Sequence, residues 1–151
     1  MHHTADSIFW HVFPLGFCDA LQPEADGVQH RLTRLSERLD HVRDLGADGL
    51  LLGPVFASAS HGYDTLDHYR IDPRLGDRHD FAQLIGRAHG QGFPVVLDGV
   101  FNHLAREHGI VARAIASGPG TADGGWIRWS DGYPFCFEGN EPLVELNLAN
   151  P

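Results

Sequence analysis

The sequence predicts an α/β fold with a parallel sheet, because short apolar segments alternate with longer segments of helical periodicity. The apolar segments lie at 8–13, 49–52 and 93–97. Strands that alternate with helices in this way form right-handed βαβ units. The third apolar segment opens the stretch FPVVLDGVFNH at 93–103, which turns polar where the strand should end. In parallel sheets that end is where ligands and catalytic groups collect.

The first strand and the first helix are predicted from residue type and spacing. Residues 8–13 read IFWHVF, a β-branched and aromatic run that Pro14 ends. Residues 15–29 carry Gly, Pro and Asp and are predicted to be a loop. From His30 onward, apolar residues three or four apart predict one helix that stops at Gly46. They are Leu32, Leu35, Leu39, Val42 and Leu45.

The second strand and the second helix follow the same logic. Residues 49–52 read GLLL and are closed by Gly53-Pro54, which predicts a buried strand. A long polar loop is predicted from 57 to 77. Asp80 is then predicted to cap a helix that ends at Gly90 and Gly92. The apolar face of this helix would consist of Phe81, Leu84, Ile85 and Ala88.

The third strand, 93–97, is predicted to be buried on both faces because it is short and rich in valine. At its polar end, Asp98, Asn102 and His103 would be delivered together from one rigid strand. These groups suit sugar hydroxyls or a metal ion, and Asn102 offers the oxygen ligand that Ca²⁺ prefers. The alternative is that Asp98 caps a turn and His103 is a surface imidazole. The spacing leaves both interpretations open.

Two further sets of side chains could bind sugar. In HGYD at 61–64, Tyr63 could stack on a pyranose ring and His61 could donate to a hydroxyl, or the segment is an ordinary glycine turn. An aromatic set near the C-terminus either lines a carbohydrate surface or forms the small core of an irregular subdomain. It consists of Trp126, Trp129, Tyr133 and Phe135.

After His103 the regular alternation fades. One short helix is predicted at 110–116, a glycine-rich loop at 117–125 and a short extended segment at 143–148.

Composition excludes several classes of function. A formal net charge of −9 disfavours nucleic acid and anionic membranes as partners. No apolar run approaches the roughly 20 residues that cross a bilayer, and no signal peptide is recognisable, so we expect a cytoplasmic protein. Cys18 and Cys136 are predicted to be free thiols. The eleven histidines include no HxH or HExxH grouping, which disfavours a catalytic zinc site.

Several segments together resemble one enzyme family. LDGVFNH at 97–103 resembles the first signature of the α-amylase family of glycoside hydrolases. IFWHVFP at 8–14 is similar to that family's first barrel strand, and DGLLLGPVF at 48–56 to its second. The segment at 61–81 is similar to the one that supplies a sugar-contacting His and Tyr, and LVELNLANP at 143–151 to the stretch that returns to the barrel.

The resemblance implies a partial (β/α)₈ TIM barrel followed by a small irregular inserted subdomain. Residues 1–103 would supply three strands and two helices, the first three βα units of the barrel. Residues 104–142 would form the inserted subdomain, and 143–151 the return segment toward the remainder of the barrel. Glu145 stands where the family usually has aspartate.

The resemblance also implies roles for particular residues. Tyr63 would stack on the sugar in the cleavage subsite, with His61 beside it. Asp98 would brace the floor of the site, and His103 would hydrogen-bond the sugar. Asn102 matches a residue that in some members ligates a structural Ca²⁺, whereas other members lack the ion. The resemblance therefore implies no required cofactor, with Ca²⁺ as the one optional ion.

The catalytic carboxylates of the family are not among the matched residues. The nucleophilic aspartate follows strand four and the acid/base glutamate follows strand five, so both motifs would lie beyond Pro151, and Asp98 is not the nucleophile. We therefore expect a truncated or split part of a retaining hydrolase or transglycosylase acting on an α-glucan or small α-glucoside. Alone, it would bind substrate without turnover.

Two other functions stay open at this point. A non-catalytic sugar-binding half-barrel would expose a sheet edge, and it would self-associate or pair with a complementary chain. A small metal-dependent hydrolase using Asp98 and His103 is the third possibility.

Overall fold

The computed structural model describes residues 7–22 and 27–150 in two compact units. Unit 1 contains the described residues up to Val55 together with Arg70–Asp98, and unit 2 contains Phe56–Tyr69 and the chain from Gly99 onward. This differs from the predicted division at 103 and 142, which stays a prediction. The first six residues, four residues of the predicted 15–29 loop and Pro151 lie outside the described residues.

In chain order the elements are β1 (Phe9–Val12), α1 (Pro14–Phe17), α2 (Thr33–Ser36), α3 (Leu39–Asp44), β2 (Gly49–Leu52), β3 (Phe56–Ser58), β4 (Thr65–Ile71), α4 (Arg78–Gly90), β5 (Val95–Leu97), β6 (His103–Ala105), α5 (Gly109–Ser117), β7 (Trp129–Ser130), β8 (Tyr133–Pro134) and β9 (Leu143–Glu145). Helices lie between β1 and β2 and between β4 and β5, and short strands dominate after residue 97. None of the described helices is long and apolar enough to cross a membrane.

Unit 1 is built on a three-stranded sheet of order β1-β2-β5, and all its pairings are parallel. The predicted βαβ alternation is therefore confirmed. Central β2 pairs with both neighbours, so that Leu50 lies opposite Trp10 on one side and Val95 on the other. Gly49 opens β2 because a Cβ there would lie only 2.9 Å from the carbonyl oxygen of Pro94.

The third strand differs from the prediction, which was wrong about its burial. Strand β5 is an edge of the sheet; Val95 is half-buried, whereas Val96 is 42% and Leu97 37% exposed. A run of valines predicts a strand, but it does not predict burial, because the burial of each face depends on what packs against it.

The first predicted helix is two short helices, α2 and α3. Its apolar stripe is confirmed, since Leu32, Leu35, Leu39 and Val42 are all at most 1% exposed. Leu45 was wrongly placed on that stripe: helix α3 ends at Asp44, and Leu45 is 66% exposed. Gly46 follows with φ +81°, as a helix-stopping glycine does. The predicted loop after Pro14 also begins with a helical turn, α1.

Helix α4 begins one turn earlier than predicted. Its N-cap is Asp77, which accepts hydrogen bonds from the amides of His79 and Asp80, while the Asp80 carboxylate accepts from the Asp77 amide. Asp80 is therefore the third helical residue of a capping box and not the cap itself. Leu84 and Ala88 of the predicted apolar face are fully buried.

Two segments of unit 2 form paired strands that were not predicted. The predicted 57–77 loop contains β3 and β4, which form a two-stranded sheet. His103 does not extend the strand that ends at Leu97: it begins β6, which pairs antiparallel with β9. The prediction that Asp98, Asn102 and His103 leave one rigid strand together is therefore wrong.

The core of unit 2 is small and lies under α5. It consists of Leu104, Val111, Ala114, Ile127 and Val144, with Ile115, Trp129 and Leu146 packed against it. The predicted helix at 110–116 is confirmed, and the predicted extended segment at 143–148 is a strand only over Leu143–Glu145.

Strands β7 and β8 form an antiparallel hairpin that divides the aromatic set. Trp129 packs against the core, while Trp126 is 50%, Tyr133 76% and Phe135 37% exposed. The small-core interpretation therefore holds for Trp129 alone.

Candidate functional site

The loop between β3 and β4 is fixed by one buried carboxylate. Asp64 is 3% exposed and accepts hydrogen bonds from the Ser60 hydroxyl at 2.5 Å and from the His61 amide at 3.1 Å. Gly62 supplies the left-handed backbone conformation, with φ +94°, that the turn requires. An acidic residue at the end of HGYD thus sets the shape of the loop, a role that the sequence analysis missed.

This loop presents two rings next to each other. The Tyr63 amide donates to Nδ1 of His61 at 3.2 Å, and the centroids of the two rings are 6.1 Å apart. The His61 side chain is 51% exposed and Tyr63 is 38% exposed. An exposed phenol ring beside an imidazole can stack on an apolar ring face and hydrogen-bond the groups at its rim.

His103 meets this loop from strand β6. Its Nε2 atom contacts the carbonyl oxygen of Tyr63 at 3.0 Å, and its ring stacks on Phe137 with centroids 4.5 Å apart. Because a carbonyl only accepts, Nε2 carries the hydrogen and Nδ1 is the acceptor of the neutral ring. Nδ1 is buried, and no described residue hydrogen-bonds to it. His103 is 6% exposed, so the surface-imidazole interpretation does not hold.

Glu145 lies opposite His103 in the register of β6 and β9. It is 9% exposed, and its carboxylate pairs with the Arg128 guanidinium at 2.5 Å. Arg128 also lies over the Phe135 ring, 4.6 Å from its centroid. Arg128 could not be predicted from the sequence, because nothing in the spacing of residues 128 and 145 signals that they are paired.

Asn102 and Asp98, the remaining predicted site residues, belong to different units. Asn102 is exposed, and its carbonyl oxygen accepts from the Leu146 amide at 2.9 Å, beside the β6–β9 pair of unit 2. Asp98 directly follows β5 in unit 1; it is half-buried, and its amide donates to the Leu52 carbonyl at 2.8 Å. The structure thus brings His61, Tyr63 and His103 together within unit 2, and it describes Asp98 separately.

The described residues contain one cluster of side chains that could bind a metal ion, and this cluster lies outside unit 2. His30, Asp77 and Asp80 of unit 1 hold ligand atoms within 4.8 Å of one another. Both carboxylates serve the capping box of α4, and His30 Nδ1 contacts Asp80 at 2.7 Å. These hydrogen bonds account for the cluster without a metal.

A third histidine of unit 2, His108, has a structural role at the start of helix α5. Nδ1 of His108 accepts from the Ile110 amide and so caps helix α5. Burial lowers the pKa of His108, and the nearby His68 lowers it further. A neutral ring is the form that can accept this bond, so the pKa shift and the cap agree.

Comparison with known proteins gives the same family over nearly the whole chain. The family model described as the alpha amylase catalytic domain matches residues 11–148. An intracellular maltogenic amylase of Bacillus subtilis is 34% identical over 128 residues, an alignment that covers 80% of this chain and 21% of that protein.

Two solved structures are similar to this chain. A cyclic alpha-maltosyl-(1→6)-maltose hydrolase from Arthrobacter globiformis has a TM-score of 0.80 at 27% identity, covering 97% of this chain and 38% of that one. A debranching enzyme from Nostoc punctiforme has a TM-score of 0.78 at 30% identity, covering 96% and 36%. This chain therefore spans about a fifth of the curated relative and just over a third of each solved chain. Because the family model matches residues 11–148, the chain belongs to the alpha-amylase family.

Proposed function

We propose that this chain supplies substrate contacts to an enzyme that hydrolyses or transfers α-glucosidic bonds with retention of configuration. The observation that carries the proposal is the loop at 60–64, which holds the rings of His61 and Tyr63 side by side and partly exposed. In this proposal Tyr63 stacks on a glucose ring and His61 hydrogen-bonds its rim.

The tautomer of His103 supports a sugar ligand. With Nε2 turned to the Tyr63 carbonyl, the buried Nδ1 is an acceptor that lacks a partner among the described residues. Leaving such an atom unpaired costs about 1–3 kcal/mol. We propose that a sugar hydroxyl donates to Nδ1 of His103 when substrate is bound.

The names of the relatives support the substrate class. One relative is a maltogenic amylase, one structural neighbour is a debranching enzyme, and another was solved with maltose bound. We extend α-glucan specificity to this chain as a proposal.

We propose further that the parallel β1-β2-β5 sheet is the first part of a (β/α)₈ barrel. Retaining glycosidases need two carboxylates about 5–5.5 Å apart. None of the matched motifs supplies this pair, so we propose that residues 1–151 alone bind sugar without turning it over.

The test is a calorimetric titration of the 151-residue chain with maltoheptaose, which measures the binding affinity. We expect Tyr63→Ala to weaken binding by about 1–3 kcal/mol, since the substitution removes a stacking ring. Tyr69→Ala is the matched control, because Tyr69 belongs to the same unit, is 98% exposed and takes no part in the loop. Equal affinity of the two variants would contradict the proposed site.

A reducing-sugar assay on the same chain separates binding from catalysis. We expect no release of sugar from maltoheptaose above the rate in buffer. Measurable turnover would show that the catalytic carboxylates lie within these 151 residues.

A second function, association through the sheet, is favoured by the exposure of β5. Val96 and Leu97 lie on an edge strand and expose 42% and 37% of their surfaces. An exposed edge of a parallel sheet invites pairing with another strand. We propose that the isolated chain self-associates, or pairs with a chain that supplies further strands.

A further inference from the structure

The structural Ca²⁺ ion that some family members hold at the residue matching Asn102 does not suit the residues of unit 2. A calcium site needs about six to eight oxygen ligands, usually with several carboxylates. Asn102 offers one amide oxygen. The acidic residue on the facing strand β9 is Glu145, and its carboxylate already holds the guanidinium of Arg128 at 2.5 Å.

Arg128 is fixed on three sides in this position. Its main-chain amide donates to the Glu145 carbonyl at 3.0 Å, and its guanidinium pairs with the Glu145 carboxylate. The guanidinium also lies 4.6 Å from the centroid of Phe135. The Glu145 amide in turn donates to the Phe135 carbonyl at 3.0 Å. The Phe135 amide donates to the Arg128 carbonyl at 2.9 Å, so three backbone bonds, one ion pair and one ring contact join residues from three segments.

The charge on Glu145 requires such a partner. Its side chain is only 12% exposed, and a buried carboxylate without a counterion is strongly unfavourable. The Arg128 side chain is 55% exposed, so it neutralises the carboxylate while it keeps much of its own hydration.

We infer that Arg128 neutralises the Glu145 carboxylate of unit 2 where a divalent metal ion would otherwise be needed. Unit 2 then keeps its β6–β9 pair without a structural metal.

The first test is thermal unfolding of the 151-residue chain in EDTA and in millimolar CaCl₂. We expect the midpoint to be the same in both solutions, and calorimetric titration with CaCl₂ to give no binding heat. A lower midpoint in EDTA, or saturable Ca²⁺ binding, would overturn the inference. Both measurements use the unmodified chain and do not depend on whether any variant folds.

The second test uses substitutions of the cation. We expect Arg128→Met to lower the midpoint by about 3–8 °C and Arg128→Lys to restore most of that loss. Arg113→Met is the matched control, since Arg113 is an exposed arginine on α5. An equal effect of Arg128→Met and Arg113→Met would overturn the assignment.

The third test asks whether the position beside the Glu145 carboxylate, which the Arg128 guanidinium occupies, can bind a cation. In Arg128→Met the Glu145 carboxylate loses its counterion, so we expect millimolar CaCl₂ to raise the midpoint of this variant. The double variant Arg128→Met/Glu145→Gln should lose that response. A single variant that does not respond to CaCl₂, or a double variant that still does, would contradict the role assigned to Arg128.

Discussion

Asp80 illustrates how much one side chain contributes at the residue scale. It is 8% exposed, and its carboxylate contacts His30 Nδ1 at 2.7 Å while it accepts from the Asp77 amide at 2.9 Å. The hydrogen bond to Asp80, reinforced by the charge of Asp80, raises the pKa of His30. The protonated ring therefore stabilises the folded chain, in a segment joined to Pro73 and Leu75 by backbone bonds.

The first prediction concerns the pH dependence of this contact. Because the pKa of His30 is higher in the folded chain, its stabilisation is complete below the unfolded value of about 6.5 and is lost as pH rises through the folded value. We expect His30→Ala to lower the thermal midpoint more at about pH 5.5 than at about pH 8.5.

The control for this prediction is the same substitution in an Asp80→Asn background. There the main negative partner is gone and only the weaker effect of the Asp77 charge remains, so the cost of His30→Ala should depend much less on pH. A pH dependence of undiminished size in this background would assign the effect to another group.

At the scale of the element, helix α4 has the most clearly defined start in the described chain. Asp77 accepts from the amides of His79 at 2.7 Å and Asp80 at 3.0 Å. The hydrogen bond from the Asp80 amide is the main cause of the lowered pKa of Asp77; the bond from the His79 amide adds to it, and burial opposes it. The ionised carboxylate thus satisfies two of the amides that a helix N-terminus leaves open.

The second prediction is that Asp77→Ala destabilises the chain by a few degrees at neutral pH, measured as the thermal midpoint. The pKa of Asp77 is lower in the folded chain, so its contribution is present above the unfolded value of about 3.8 and is lost as pH falls through the folded value. Asp77→Asn keeps a capping oxygen without the charge. We expect Asp77→Asn to retain most of the stability at neutral pH and to lose the acid-dependent part.

At the scale of the whole molecule, the parallel sheet of unit 1 has apolar side chains at its open edge. The edge strand β5 exposes Val96 and Leu97, and Ile8, directly before the opposite edge strand β1, is 67% exposed. Parallel sheets in proteins are ordinarily covered on both faces. Exposure of this kind favours association with further strands.

The third prediction is that the 151-residue chain forms oligomers whose mass rises with concentration in sedimentation or light scattering. Val96→Lys should shift the equilibrium toward monomer, because a charge on an edge strand opposes strand pairing. Tyr69→Lys is the control, since Tyr69 is exposed but lies outside the sheet of unit 1. A monomer at every concentration would contradict this prediction.

The candidate site could be predicted only where its signal is local. His61 and Tyr63 stand in one short motif, and the bonds that shape it link residues two to four positions apart. The bond from His103 to Tyr63 spans 40 positions, and the Arg128–Glu145 pair spans 17. Such pairs depend on how strands are brought together, which no spacing along the chain reports. The prediction for His103 therefore rested on its position after the third apolar segment and on the family resemblance.

The sequence by itself determined the parallel βαβ order, the apolar stripe from Leu32 to Val42 and the family, because periodicity and short motifs are properties of neighbouring residues. Only the tertiary structure decided that β5 is a half-exposed edge, that His103 starts a separate antiparallel strand and that Arg128 neutralises Glu145. Burial, pairing and charge compensation are set by whichever segments meet in space. These tertiary contacts depend on the free energy of the whole packed chain. The residue pattern of any one segment does not determine them.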